Sequence, residues 1–169
     1  MKNSRRIAAS SCKKINIPAV LFTAATVLII CFIFSNSLQS RTVSSAQSGR
    51  VLQLFQRLFD PNGNIPEESF HRFVRKLAHF IEFAALGMSA CGLFLSLPSK
   101  SGRYNFGMML FLVLAVAVTD EFIQSFTGRY SSVQDVILDF FGALFGIAVL
   151  WLCALLLFRI LKKKNIKST

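Results

Sequence analysis

The chain reads as an all-α, polytopic membrane protein: four transmembrane helices in an antiparallel bundle, with a short interfacial helix in the first outer loop. Three observations predict this. Apolar residues make up 53% of the 169 and the mean hydropathy is positive, too hydrophobic for an ordinary soluble domain. Eighteen Phe stand against one Trp and two Tyr, and Phe faces lipid with no polar group left to satisfy. Four long apolar stretches punctuate the chain, each reaching or approaching the ~20 residues that a helix needs to cross ~30 Å of hydrocarbon.

The first stretch, Ile17 to Phe34, follows a basic segment. No Ala-x-Ala cleavage site follows it, so the expectation is a retained helix rather than a secretory leader. Residues 1–16 form a basic N-terminus. The first outer segment, residues 35–72, opens with SNSLQSRTVSSAQSG and continues into VLQLFQRLF. In the latter, Val51, Leu52, Leu54, Phe55, Leu58 and Phe59 recur at helical spacing opposite Gln53, Gln56 and Arg57, predicting an interfacial amphipathic helix over residues 50–59. Asp60-Pro61-Asn62-Gly63 stops it.

The second apolar stretch, Phe73 to Leu97, is preceded by Pro66, Glu67 and Glu68, a favourable opening for a helix. The third runs from Phe106 to Phe126 and the fourth from Val133 to Ile160, before a basic tail over residues 161–169. Residues 17–160 thus form one membrane domain. Four crossings put both termini on one side. That side then carries twelve of the 19 Lys and Arg, counting the Lys100–Arg103 turn with the termini. The positive-inside rule makes it the cytoplasmic side. The basic residues cluster at the two ends rather than in a stripe with interleaved aromatics, which excludes a nucleic-acid surface and fits an anionic leaflet. The four Cys form no CxxC and no disulfide framework; they read as small packing residues.

Ionisable groups interrupt the apolar stretches in one pattern. At ~100° per residue, Arg72, Arg75, His79 and Glu82 share a face of the second helix, with Lys76 beside them. Asp120, Glu121 and Gln124 share one on the third. Asp135 and Asp139 share one on the fourth, which Gly142 and Gly146 continue. At ~1.5 Å per residue, Glu82, Asp120 and Asp139 each lie ~9 Å inward from the same membrane surface. A charged residue at the centre of a span costs ~2.5–3.5 kcal/mol. Scattered towards lipid, five such groups would be prohibitive, so the pattern predicts one shared polar layer in the outer half of the membrane. Gly142-x-x-x-Gly146 permits a close helix approach there, although such a pair alone indicates only packing. The alternative is a salt-bridge network that pins the bundle, with Arg75, Lys76, Arg129 and His79 neutralising the carboxylates.

The segments RKLAHFIEFAALG and TDEFIQSFTGRYSSVQDVILDFFGALFG resemble the signature of the VanZ-like family of membrane proteins. The resemblance rests on Arg75, Lys76, His79 and Phe80; on Asp120, Glu121, Gln124 and Phe126; on Gly128 and Arg129; and on Asp135, Val136, Asp139 and Gly142. FSNSLQS is similar to the family's Ser-rich exit from its first helix, while the family's usual proline beside the Gly-Arg turn is absent, Thr127 preceding Gly128. The resemblance covers about residues 20 to 155. It implies a multi-pass protein of the cell envelope, of the type associated with low-level resistance to teicoplanin-class lipoglycopeptides, and supplies no reaction.

Two functions of different class fit these residues. One is a binding module in which Arg75, Lys76 and Arg129 hold the phosphate of a lipid-linked wall precursor, or a lipoglycopeptide. Glu82, Asp120, Glu121, Gln124, Asp135 and Asp139 then orient those cations or accept hydrogen bonds from sugar hydroxyls. The other is a membrane-embedded lipid-phosphate hydrolase or transferase, with His79 and Glu82 as the catalytic candidates: His79 acts as nucleophile or general base, or His79, Glu82, Asp120, Asp135 and Asp139 bind a divalent ion. No Walker loop, Gly-x-Ser-x-Gly or His-Glu-x-x-His sequence assigns a reaction. No cofactor is assigned either. His-x-x-Glu and the Asp135/Asp139 pair are spacings that accommodate a divalent ion without being diagnostic of one. A small proton-coupled transporter is the weakest reading, because the chain has no internal repeat.

Overall fold

The computed structural model describes residues 16–38, 66–97, 102–127 and 131–167. These form four helices and, among the described residues, no strand: α1 (Ile17–Ser37), α2 (Glu67–Ser96), α3 (Gly102–Phe126) and α4 (Val133–Lys167). All four are long and apolar enough to cross a membrane. The interfacial helix expected over residues 50–59 lies outside the described residues, as do Gly128 and Arg129.

Each helix begins where its local chemistry directs. At α1, Asn16 accepts from the Ala19 amide at 3.3 Å and a proline follows in the first turn. At α4, Ser132 Oγ accepts from the Gln134 amide at 3.1 Å. Two helices outrun the apolar stretches. α2 opens at Glu67, six residues before Phe73, because Pro66 is a helix-compatible start and nothing after it breaks the helix. α4 continues through the basic segment to Lys167, since Leu, Lys and Ile sustain a helix and the cations suit its C-terminus. The tail expected from residue 161 is therefore mostly the last turns of α4.

Interhelix contacts set the order and direction. α1 runs against α2 with Asn16 Nδ2 on the Ser96 carbonyl, Thr26 Oγ1 on Ser89 Oγ at 3.1 Å, and Asn36 Nδ2 on Glu82 Oε1 at 2.9 Å. α2 and α3 form the middle of the bundle, each packed on all three other helices, with α1 and α4 flanking them. The chain alternates in direction, as expected. Its most extensive contact, however, joins α2 to α4, which run parallel.

Small residues explain that contact. A Cβ on Gly146 would lie 1.9 Å from the Ala84 carbonyl oxygen, one on Gly142 2.7 Å from that of Phe80, and one on Gly87 2.0 Å from that of Ala143. The two backbones meet directly, as small-xxx-small pairs allow. Phe80 and Phe145 close over the seam with ring centroids 5.7 Å apart.

Polarity is inverted relative to a soluble bundle. Leu28, Phe32, Phe111, Phe122, Phe141 and Phe158 are exposed, while Asp120, Glu121, Gln124 and Asp139 are buried. The apolar core, including Ile33, Phe83, Leu86, Val113, Ala117 and Ile147, fills the middle of the bundle. The buried charges gather at the end where α1 and α3 finish and α2 and α4 begin.

Candidate functional site

Four helices build one polar layer at that end. From α2, one turn apart, come Arg75, Lys76 and His79. α3 contributes Asp120 and Glu121, then Gln124 one turn later. α4 opens with Asp135 in its first turn and places Asp139 on the next. α1 ends with Asn36 and Ser37 at the same level.

Asp120, fully buried, is the hub. Ser37 Oγ donates to its Oδ1 through a very short bond. Gln124 Nε2 donates to Oδ2 at 2.7 Å. His79 Nδ1 lies 3.7 Å from the same Oδ2. Nearer the surface, Lys76 Nζ pairs with Asp135 Oδ1 at 2.8 Å; the lysine side chain is 45% exposed and the aspartate 20%. Glu121 Oε2 accepts from the Ser132 backbone amide at 3.0 Å, taking an unpaired donor at the start of α4. In a capping box Asp135 would take that donor. With Glu121 in its place, Asp135 is left to Lys76.

Between these groups lies a pocket lined by Arg75, Lys76, His79, Glu121, Gln124, Asp135, Leu138 and Asp139. Its interior offers about 10 Å³ to the centre of a water-sized sphere, room for about one water or one bare ion. Asp139 is 1% exposed, and neither of its carboxylate oxygens has a hydrogen-bond partner among the described residues.

A family model described as VanZ/LLP1 matches residues 22–158, from within α1 to within α4, and so spans the whole polar layer. The chain belongs to the VanZ/LLP1 family. No curated protein and no solved structure matches it.

In this VanZ/LLP1 protein, the residues singled out by sequence separate into three groups. Arg75, Lys76, His79, Glu121, Gln124, Asp135 and Asp139 meet in the pocket, with Asp120 directly behind it. Glu82 stands apart towards α1, where Asn36 holds it. Arg129 lies outside the described residues. Of the five residues expected as ligands for an ion, His79, Asp120 and Asp139 come together, while Glu82 and Asp135 lie outside that group. Asp135 is a turn nearer the surface and engaged by Lys76, and the group with ligand atoms within 4.8 Å of one another is His79, Asp120 and Asp139. Gly142 and Gly146 pack as the spacing requires. Sequence reasoning missed Asn36 and Ser37 as members of the layer. The signal was there, two polar residues closing an apolar helix at the depth of Glu82 and Asp120.

Proposed function

We propose that this VanZ/LLP1 protein sits in the cell membrane with both termini cytoplasmic, and that its polar layer faces outward to engage the phosphate of a lipid-linked wall precursor or a lipid-tailed glycopeptide. The observation that carries this reading is the pocket itself. Three helices each accept the cost of burying charge to bring those charges to one point, which packing alone does not require. Arg75 and Lys76 line it, and Lys76 is the half-exposed group through which a ligand enters. The interior holds only a water or an ion, so a headgroup docks across the mouth on these cations while its lipid chain stays beside the exposed apolar faces of the helices. Contribution to lipoglycopeptide tolerance follows if such a ligand is held away from its target.

The test is overexpression of wild type and of Lys76→Gln in a susceptible bacterial host. Wild type raises tolerance to lipid-tailed glycopeptides more than to tail-less ones, and Lys76→Gln loses most of that difference. An equal shift for both drug classes, or an undiminished shift in Lys76→Gln, rejects the outward headgroup site.

One observation favours a second reading, a lipid-phosphate hydrolase or transferase: His79 stands beside the Asp120 carboxylate, an arrangement that orients a nucleophile or base. Phosphate release from a polyprenyl diphosphate by the purified protein, absent in His79→Ala, distinguishes it.

A further inference from the structure

We propose that His79, Asp120 and Asp139 bind one divalent transition-metal ion of the Zn²⁺ or Mn²⁺ type at the floor of the pocket. The proposal shares that pocket with the proposed function and rests on it only for the view that the layer is a working site. Its premise is geometric. One ligand atom from each of the three residues lies within 4.8 Å of the other two. The His79 Nδ1 to Asp120 Oδ2 distance of 3.7 Å is too long for a hydrogen bond. It is near the ~3.4 Å that separates two ligands sharing a tetrahedral ion with bonds of ~2.0–2.2 Å. Rotamer adjustments of well under ~1 Å would bring the set to bonding distance.

An independent observation is Asp139. It is buried, it lines the pocket, and neither oxygen has a hydrogen-bond partner among the described residues. Buried charges in proteins are paired or coordinate metals. Lys76, which lines the same pocket, pairs with Asp135. Asp120, by contrast, is held as a ligand is held: Ser37 and Gln124 each donate to one of its oxygens and fix its plane, leaving lone pairs on Oδ2 for an ion. The pocket offers room for about one such ion, with water completing its coordination. An imidazole nitrogen with two carboxylates selects Zn²⁺ or Mn²⁺ over Mg²⁺ and Ca²⁺, which take sets of oxygen ligands.

The experiment uses the full chain purified in detergent, stripped with chelator and dialysed against Zn²⁺, Mn²⁺, or either ion with excess Mg²⁺. Elemental analysis gives about one ion per chain in wild type, retained against Mg²⁺. Affinity falls by more than ~10-fold in His79→Gln and Asp139→Asn, and by ~10–100-fold in Ser37→Ala, which removes a hydrogen bond that orients Asp120 without removing a ligand. The Co²⁺-loaded protein gains visible absorption that His79→Gln lacks. Absence of ion from wild type, or equal ion content in wild type and His79→Gln, overturns the site. So does an Asp139→Asn chain as stable as wild type with unchanged metal affinity, which would mark Asp139 as a protonated acid. No lipid or antibiotic enters these measurements, so their failure leaves the headgroup reading standing, and loss of drug tolerance leaves the ion site standing.

Discussion

Glu82 and Lys76 show how differently two charges in one layer are held. Lys76 and Asp135 form a pair open to water, and such pairs contribute ~0–1 kcal/mol. Removing that lysine therefore changes what the pocket attracts far more than it changes stability. Glu82 accepts from Asn36 between two helices. Glu82→Gln keeps the volume and the acceptor oxygen for Asn36 while deleting the charge. Because Glu82 does not line the pocket, the expected outcome is near-normal abundance in membranes with the tolerance phenotype kept, read by immunoblot and susceptibility assay together. A scaffold carboxylate behaves otherwise. Breaking a buried pair strands the other charge at ~3–5 kcal/mol, enough to deplete a marginally stable protein. Lost abundance in Glu82→Gln that returns in Glu82→Gln/Arg75→Gln or Glu82→Gln/Arg129→Gln would therefore mark Glu82 as structural.

At the level of helices, α2 and α4 are joined by glycines whose missing side chains are filled by backbone. Gly146→Ala places a methyl 1.9 Å from the Ala84 carbonyl, and backbone cannot rotate aside. The substitution should destabilise by ~1–3 kcal/mol or more. A Cβ on Gly107 of α3 meets nothing within 4 Å, so Gly107→Ala should be neutral or stabilising by up to ~1 kcal/mol. Thermal unfolding in detergent compares the two, and equal midpoints would refute the direct backbone contact. How much of this was legible beforehand depends on whether a signal lies within one helix. The four spans, the charges at positions 79, 82, 120, 121, 135 and 139, and the Gly142/Gly146 pair each break a local pattern, and all were readable. Gly87 carries no such mark, because its reason is Ala143 on another helix. Asn36 and Ser37 carry a weaker mark, since polar residues at the end of a span gain meaning only when Glu82 and Asp120 are seen facing them. The parallel α2–α4 contact was invisible because chain direction alternates while adjacency is decided by side-chain size.

The whole molecule is an up-and-down bundle with its charge concentrated at one end and its net charge of +11 weighted to the termini. Membrane orientation is the property on which the proposed function depends. In a Cys-free background, single cysteines at Ser45 and Thr127 should react with an impermeant maleimide on intact cells, and one at Ser168 should react only after permeabilisation. Labelling of Ser168 but not Ser45 would turn the polar layer to the cytoplasm and exclude capture of an external lipid-tailed drug.

The length of α4 sets how deep that layer sits. From Asp139 to Arg159 is twenty residues of continuous helix, ~30 Å at ~1.5 Å per residue, which equals the hydrocarbon thickness of a bilayer. Beyond Leu150 almost every described side chain of α4 is exposed, and the exposed cations Arg159, Lys162, Lys163 and Lys164 hold that end among headgroups. An upright α4 moored there delivers Asp139 to the opposite edge of the hydrocarbon, shallower than the ~9 Å expected from the start of the apolar stretch, and Asp135 one turn past it. A tilt of ~20° lowers Asp139 by only ~2 Å. The chain thus works as a plumb line hung from the far leaflet: its basic end is the fixing, and the carboxylates are the bob that comes to rest where oil gives way to water.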